Sequence, residues 1–158
     1  LSVAGSPVLF ESALRRLVPL PMRRQRPMCT ACVLGIDPSP LGGFTAIPGR
    51  MAVRRDGSLL VVDNANSGTN MATTVEAARY ARELAGDAPL TLVIGEEARA
   101  VCEGFPATEI SRAVAAVRPD ATVYVGDGEE AATLEEGFAA AREITPEGAI
   151  VLAVKTWR

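Results

Sequence analysis

The 158-residue sequence contains no histidine. Histidine is the commonest general base near neutral pH and the commonest zinc ligand, so its absence excludes Ser-His-Asp, Cys-His and histidine-metal chemistry within this chain. Cysteine is scarce as well. Three residues are an odd number and too few for a disulfide framework. We therefore expect a protein of a reducing compartment, most simply the cytoplasm.

Long apolar runs are also missing. No run approaches the roughly 18 residues that a membrane-spanning helix needs, and the first five residues lack the charged-then-apolar order of a signal peptide. We expect no membrane association. Hydrophobic residues make up 48% and charged residues 22% of the chain, which is ordinary for a globular domain and excludes a disordered or collagen-like protein.

Charge is distributed unevenly along the chain. Residues 1–55 contain eight basic and two acidic residues, whereas residues 56–158 contain eight basic and 17 acidic residues. A large acidic part would repel phosphates, so we expect no nucleic-acid partner. The length fits one domain with an appendage at one end.

From residue 51 onward, strand and helix patterns alternate. The predicted strands are 51–55, 58–62, 90–94, 122–125 and 149–154, and the first two flank an Asp-Gly turn typical of a hairpin. Thr73-Thr74 can cap a first helix, whose apolar residues follow helical spacing. That spacing begins again near residue 108 and recurs after Thr133, which forms a capping-box pattern with Glu136. This order predicts an α/β fold: a Rossmann-like three-layer domain with a mostly parallel sheet and an N-terminal β-hairpin.

Residues 1–48 have a different character. They are rich in Pro and Arg and contain short helical patterns at 8–18 and 28–34, a partial helical segment too small to form a core. Cys29 and Cys32 have the C-x-x-C spacing of redox and zinc sites, but a zinc site needs a second ligand pair. We interpret them as small apolar helix residues and predict no metal site.

Polar residues follow four of the predicted strands. In a parallel sheet, ligands bind outside the carboxyl ends of the strands, so these residues are the candidates for a binding crevice. The alternative for each is structural: Asn, Ser and Gly favour turns, and a lysine at a strand end is commonly solvated. The four segments are 63–70, Gly95-Glu96-Glu97, Gly126-Asp127-Gly128 and Lys155-Thr156-Trp157-Arg158.

Phosphate-binding loops are absent from the sequence. There is no G-x-x-x-x-G-K-[ST] segment, because valine precedes Lys155-Thr156, and no G-x-G-x-x-G follows a strand. This chain therefore lacks a triphosphate cradle of its own. We predict that the isolated chain is catalytically inactive, and we assign no catalytic residue within it.

Several short motifs resemble the C-terminal domain of the Mur ligases. Ile47-Pro48-Gly49-Arg50-Met51 is similar to a P-G-R segment of that family, and it precedes a hairpin. Asp63 and Ala65 match the first and third conserved positions of the family's D-x-A motif, commonly D-D-Y-A-H-N-P, with Asn64 in place of tyrosine and Asn66 in place of histidine. The strand before Lys155 is similar to the family's last strand, but the glycines that follow in a G-K-G segment are missing.

The resemblance implies the end of a three-domain ATP-dependent ligase. Residues 1–48 would be the remnant of the central ATPase domain and a linker, and residues 49–158 the C-terminal domain. In that chemistry ATP and Mg²⁺ convert a carboxylate into an acyl phosphate, which an amine or another nucleophile attacks. The C-terminal domain closes over the nucleotide and binds the incoming substrate, while the upstream domains supply the phosphate loop.

The resemblance also implies roles for individual residues. Arg50, Asp63, Asn64 and Asn66 would form the nucleotide side of the cleft, and Lys155 would contact the incoming substrate. By charge, Lys155 suits a carboxylate on that substrate, whereas Glu96 and Asp127 suit an ammonium group.

The departures from the motif are most like Mur-related ligases of methanogenic archaea. In that group the implied substrate is a pseudomurein peptide or a tetrapyrrole acid, and the sequence leaves both open. A stand-alone nucleotide-binding module or a protein-interaction module without catalysis is the alternative function.

Overall fold

The structure is a computed structural model that describes residues 33–37, 39, 47–97 and 104–157. The chain divides into two compact units, Leu1–Thr45 and Ala46–Arg158. In the first unit, the backbone amide and then the hydroxyl of Ser39 donate to Asp37, and both bonds lower the pKa of that carboxyl group. The predicted helix at 8–18, most of that at 28–34, and all three cysteines lie outside the described residues.

The second unit contains five strands and three helices among its described residues. In chain order the elements are β1 (Ala52–Asp56), β2 (Leu59–Asp63), α1 (Met71–Ala85), β3 (Leu90–Glu96), α2 (Ala107–Val117), β4 (Ala121–Val125), α3 (Leu134–Ile144) and β5 (Gly148–Lys155). The strands lie in the order β1-β2-β5-β3-β4. Strand β1 is antiparallel to β2, and every other pair is parallel. The predicted hairpin and mostly parallel sheet are confirmed.

Helix starts show where local sequence decides the structure. Thr133 caps α3 in a reciprocal capping box with Glu136, as predicted. The expected cap of α1 at Thr73 or Thr74 is wrong. The N-cap is Asn70, whose side chain accepts from the Thr73 amide at 3.0 Å, while the Thr73 hydroxyl accepts from the Asn70 amide at 3.1 Å. Asn is among the best N-cap residues, and threonine at the third helical position completes the reciprocal pair.

Two apolar clusters cover the two faces of the sheet. Alternate residues of β2 point to opposite faces, so Leu60 and Val62 pack with α1 and α2, whereas Leu59 and Val61 pack on the α3 side. The topology explains this division. The crossovers through α1 and α2 run in one direction across the sheet and that through α3 runs back, so right-handed connections place α3 on the opposite face.

In the part of the chain that the structure describes, no helix is both long enough and apolar enough to span a bilayer.

The contact between α3 and the sheet depends on Gly137. A β-carbon at this position would lie 2.7 Å from Cγ2 of Val125 and 2.9 Å from Cγ1 of Val93, both buried β-branched side chains with little freedom to move. The helix therefore approaches the sheet more closely than any side chain would allow.

We expect Gly137→Ala to destabilise the domain by about 1–3 kcal/mol through overpacking. A glycine-to-alanine change inside a helix normally stabilises it by about 1 kcal/mol, so the predicted sign is reversed. Chemical denaturation of both proteins measures the difference, and a higher free energy of unfolding for the variant would contradict the close approach.

Candidate functional site

The parallel strands end along one edge of the sheet. Asp63 at the end of β2 pairs with Leu152 of β5, and Lys155 at the end of β5 pairs with Glu96 of β3. Strand β4 lies beyond β3, with Val125 paired to Gly95. The polar segments predicted to line a crevice therefore all follow strands that end at this edge, which is where parallel α/β folds bind ligands.

The loop after β2 is closed by its own hydrogen bonds. Asp63 is 4% exposed, and its carboxylate accepts from the Ala65 amide at 3.1 Å. The Thr69 hydroxyl donates to the Asn64 carbonyl at 2.7 Å and accepts from the Asn66 amide at 3.2 Å. These contacts match the structural alternative for this segment, in which its polar residues shape a loop through local hydrogen bonds. They hold the segment in one conformation.

Asn66 connects this loop to the turn that precedes the hairpin. Its Nδ2 donates to the Gly49 carbonyl at 2.5 Å, and its Oδ1 accepts from the Gly68 amide at 2.8 Å. Gly49 has a φ of +73°, and a β-carbon there would lie 2.1 Å from the Ala65 carbonyl oxygen. Only glycine fits this approach. As a result, the exposed Arg50 is held next to the loop that follows β2.

Asp63 and Asn64 differ in their surroundings although they are adjacent. Asp63 is the last residue of β2, whereas Asn64 follows the strand and donates its amide to the Leu152 carbonyl at 2.9 Å. Asn64 is 2% exposed, and its Nδ2 is buried with no hydrogen-bond partner among the residues that the structure describes. The sequence treated Asp63, Asn64 and Asn66 as one polar cluster, whereas the structure distributes them over different environments.

Lys155 is buried, not solvated as the structural alternative for it supposed. It is 7% exposed, and its ammonium donates to the Gly104 carbonyl at 3.3 Å. Its strand neighbour Glu96 accepts from the Phe105 amide at 2.7 Å through Oε2. The side chains of Lys155 and Glu96 thus contact the two successive residues Gly104 and Phe105, just before α2.

Glu97 belongs to the predicted segment Gly95-Glu96-Glu97, but sequence reasoning gave it no role of its own. Its amide donates to the Lys155 carbonyl at 3.1 Å, and its carboxylate accepts from the Thr156 hydroxyl at 2.5 Å and from the Leu134 amide at 3.4 Å. The sequence signal was the pair of consecutive glutamates at the end of β3. Only the positions of β5 and α3 identify the second of them as a junction residue.

Asp127 lies at the far end of the edge. It is exposed in the turn after β4, where the Gly126 amide donates to the Ala131 carbonyl at 2.9 Å. Strands β5 and β3 lie between β4 and β2, so Asp127 and Asp63 are separated by about 14 Å of sheet. The structure brings Lys155 and Glu96 together but does not bring Asp127 to the loop after β2.

Within the described ranges, no group of three or more Cys, Asp or Glu side chains is placed to hold a metal ion.

Comparison with known proteins gives three similarities. A family model described as the C-terminal domain of coenzyme F430 synthetase CfbE matches residues 53–156. The coenzyme F(430) synthetase of Methanosarcina acetivorans is 37% identical over 71 residues, which are 43% of this chain and 15% of that protein. The crystal structure of MurF ligase from Thermotoga maritima in complex with ADP aligns with a TM-score of 0.47 and 16% identity, covering 82% of this chain and 33% of that one.

We expect Gly49→Ala to lower the free energy of unfolding by more than about 2 kcal/mol, because it adds both positive-φ strain and a collision with the Ala65 carbonyl. Gly57→Ala is the matched control: Gly57 has a φ of +61° but open space around it, so only the strain is added. Equal losses for the two variants in chemical denaturation would show that the contact with the loop after β2 contributes nothing.

Proposed function

Since this chain belongs to the family of C-terminal domains of coenzyme F430 synthetase CfbE, we propose that it is the closing and substrate-binding domain of an ATP-dependent ligase. The chain spans 15% of the length of the curated relative that it matches. In our proposal an upstream part of the parent ligase supplies the phosphate loop. In our proposal residues 1–48 belong to the preceding ATPase domain and linker, and residues 49–158 form the C-terminal domain.

The observation that carries this proposal is that two charged residues, Arg50 and Lys155, lie at the same edge of the sheet. Arg50 lies next to the loop that follows β2, and Lys155 ends β5, which pairs with β2. Neighbouring strands are about 4.8 Å apart. A nucleotide phosphate near Arg50 and an incoming substrate near Lys155 would therefore meet at one edge of the sheet, as transfer from an acyl phosphate requires.

The nucleotide side consists of one charged residue and one shaped loop. Arg50 is exposed, and its guanidinium matches the geometry of phosphate oxygens. Asp63 and Asn66 hold the loop through their bonds to Ala65 and Gly49. Asn64 contributes a buried amide donor that has no partner within the described part of the chain. We propose that these three residues present the loop to the ribose side of the nucleotide when the domain closes.

The substrate side suits a carboxylate. An ammonium has three donors, and the Gly104 carbonyl accepts from Lys155 at the long distance of 3.3 Å. A substrate carboxylate would give this buried cation a charged acceptor. Glu96 would take an ammonium group through the oxygen that does not accept from Phe105. Asp127 remains a predicted substrate contact at the periphery of the site, because it follows β4, the outermost strand on that side of the sheet.

The family and its relative both carry the name coenzyme F430 synthetase, so we propose a tetrapyrrole acid, not a pseudomurein peptide, as the substrate of the parent enzyme. ATP is the second substrate. We place Mg²⁺ with ATP in the upstream domains and the enzyme in the cytoplasm. In the proposed reaction, the residues of this chain bind and orient the substrates and exclude water from the site. The charge of Arg50 stabilises the phosphate that leaves.

In the complete ligase, Arg50→Ala should raise the KM for ATP about tenfold or more, because losing a charge-assisted hydrogen bond costs about 1.5–3 kcal/mol. The KM for the carboxylate substrate should stay within about twofold of the parent. The matched control is Arg112→Ala, an exposed arginine on α2. An unchanged KM for ATP, in a variant that folds normally, would remove Arg50 from the nucleotide site.

Lys155→Met should raise the KM for the carboxylate substrate by about tenfold or more while leaving the KM for ATP unchanged. Methionine keeps most of the buried volume and removes the charge, so the effect is separated from packing. Steady-state kinetics with each substrate varied in turn make the measurement. A defect in ATP binding alone would show that Lys155 faces the nucleotide instead.

A further inference from the structure

Glu97 connects three elements that are distant in sequence. It follows β3, its carboxylate accepts from Leu134, the first residue of α3, and its amide and carboxylate contact Lys155 and Thr156 at the end of β5. It is half-buried, so these contacts are partly shielded from water. The carboxylate contacts come from two distant parts of the chain, the start of α3 and the end of β5, and they hold the carboxylate from two sides.

The two consecutive glutamates at the end of β3 serve two different helices. Glu96 accepts from Phe105, just before α2, and Glu97 accepts from Leu134 at the start of α3, on the opposite face of the sheet. A carboxylate is stabilised at a helix N-terminus by the unpaired amides and the helix dipole. The start of α3 therefore contributes to the position of the Glu97 carboxylate.

The end of β5 is in turn held by Glu97. Its amide donates to the Lys155 carbonyl, and its carboxylate accepts from the Thr156 hydroxyl, so the peptide that joins Lys155 and Thr156 is held by one main-chain and one side-chain bond. Lys155 is the last residue of β5, so no further strand pairing holds the chain after it. Without the side-chain bond, its position would depend on main-chain pairing and on the contact with Gly104.

We propose that Glu97 is a positioning residue that aligns the Lys155 ammonium for the incoming substrate, acting through Thr156. The proposal rests on the proposed function, in which Lys155 binds that substrate. Both carboxylate oxygens of Glu97 already accept hydrogen bonds from the protein. Because these bonds direct both oxygens toward the protein, the proposed role of Glu97 is to orient the lysine, not to bind the substrate.

Kinetics of the complete ligase distinguish positioning from direct binding. Glu97→Ala and Thr156→Val remove the same bond from its two sides, and each should raise the KM for the carboxylate substrate by about tenfold, with the KM for ATP unchanged. Combined, they should cost no more than either alone. Glu97→Gln keeps an acceptor oxygen and should stay within about threefold of the parent. The matched control is Glu147→Ala, an exposed glutamate just before β5.

Three outcomes would overturn the proposal. Equal losses for Glu97→Gln and Glu97→Ala would show that the charge acts on the substrate. Additive losses for Glu97→Ala and Thr156→Val would show that the two residues act separately. Normal kinetics for Glu97→Ala, with Lys155→Met impaired, would show that Lys155 needs no alignment. If Lys155→Met is also normal, the proposed substrate role of Lys155 fails as well.

A second measurement is independent of activity. Lys155 is the only lysine in the sequence, so labelling this chain with [¹³Cε]lysine gives a single lysine NMR signal. Glu97→Ala and Thr156→Val should both shift and broaden that signal, and Glu147→Ala should leave it in place. A signal that Glu97→Ala does not move would overturn the positioning role even if the kinetic effect is present.

Discussion

The structure depends on the insertion of its last strand at the centre of the sheet. Strand β5 is buried along its whole length and pairs with β2 on one side and β3 on the other. Without it, the hairpin formed by β1 and β2 would share no strand pairing with β3 and β4. The candidate site depends on the same insertion, because Lys155 occupies its place between the loop after β2 and the end of β3 only when β5 is paired on both sides.

The central position of β5 buries a charged side chain, and specific contacts at the carboxyl ends of the strands compensate for that burial. Its last residue brings an ammonium into a buried position, which is unfavourable unless hydrogen bonds or charges compensate. Gly104 accepts from that ammonium, and on the neighbouring strand β3, Glu96 is the last residue and Glu97 follows it. Because the same two glutamates accept from residues at the starts of α2 and α3, the packing of both helix layers is coupled to the position of Lys155.

The loop after β2 shows how structural and functional roles overlap. Asp63 and Asn66 use side-chain atoms to close the loop and to bind the turn at Gly49, and this turn is what places Arg50 beside the loop. A residue that shapes a binding loop carries the same small polar side chain as one that contacts the ligand. Composition alone therefore identifies the loop as a candidate but cannot assign a role to each member.

The sequence by itself determined the order of elements, the hairpin, the capping box at Thr133 and the parallel character of the sheet, because these follow from hydrophobic spacing and local hydrogen bonds. Local competition between good N-cap residues moved the start of α1 to Asn70. Only the tertiary structure decided that Lys155 is buried, that Glu97 is a junction and that Asp127 lies apart from Asp63. These facts depend on which strands become neighbours, and neighbours in a sheet are chosen by crossovers between distant segments.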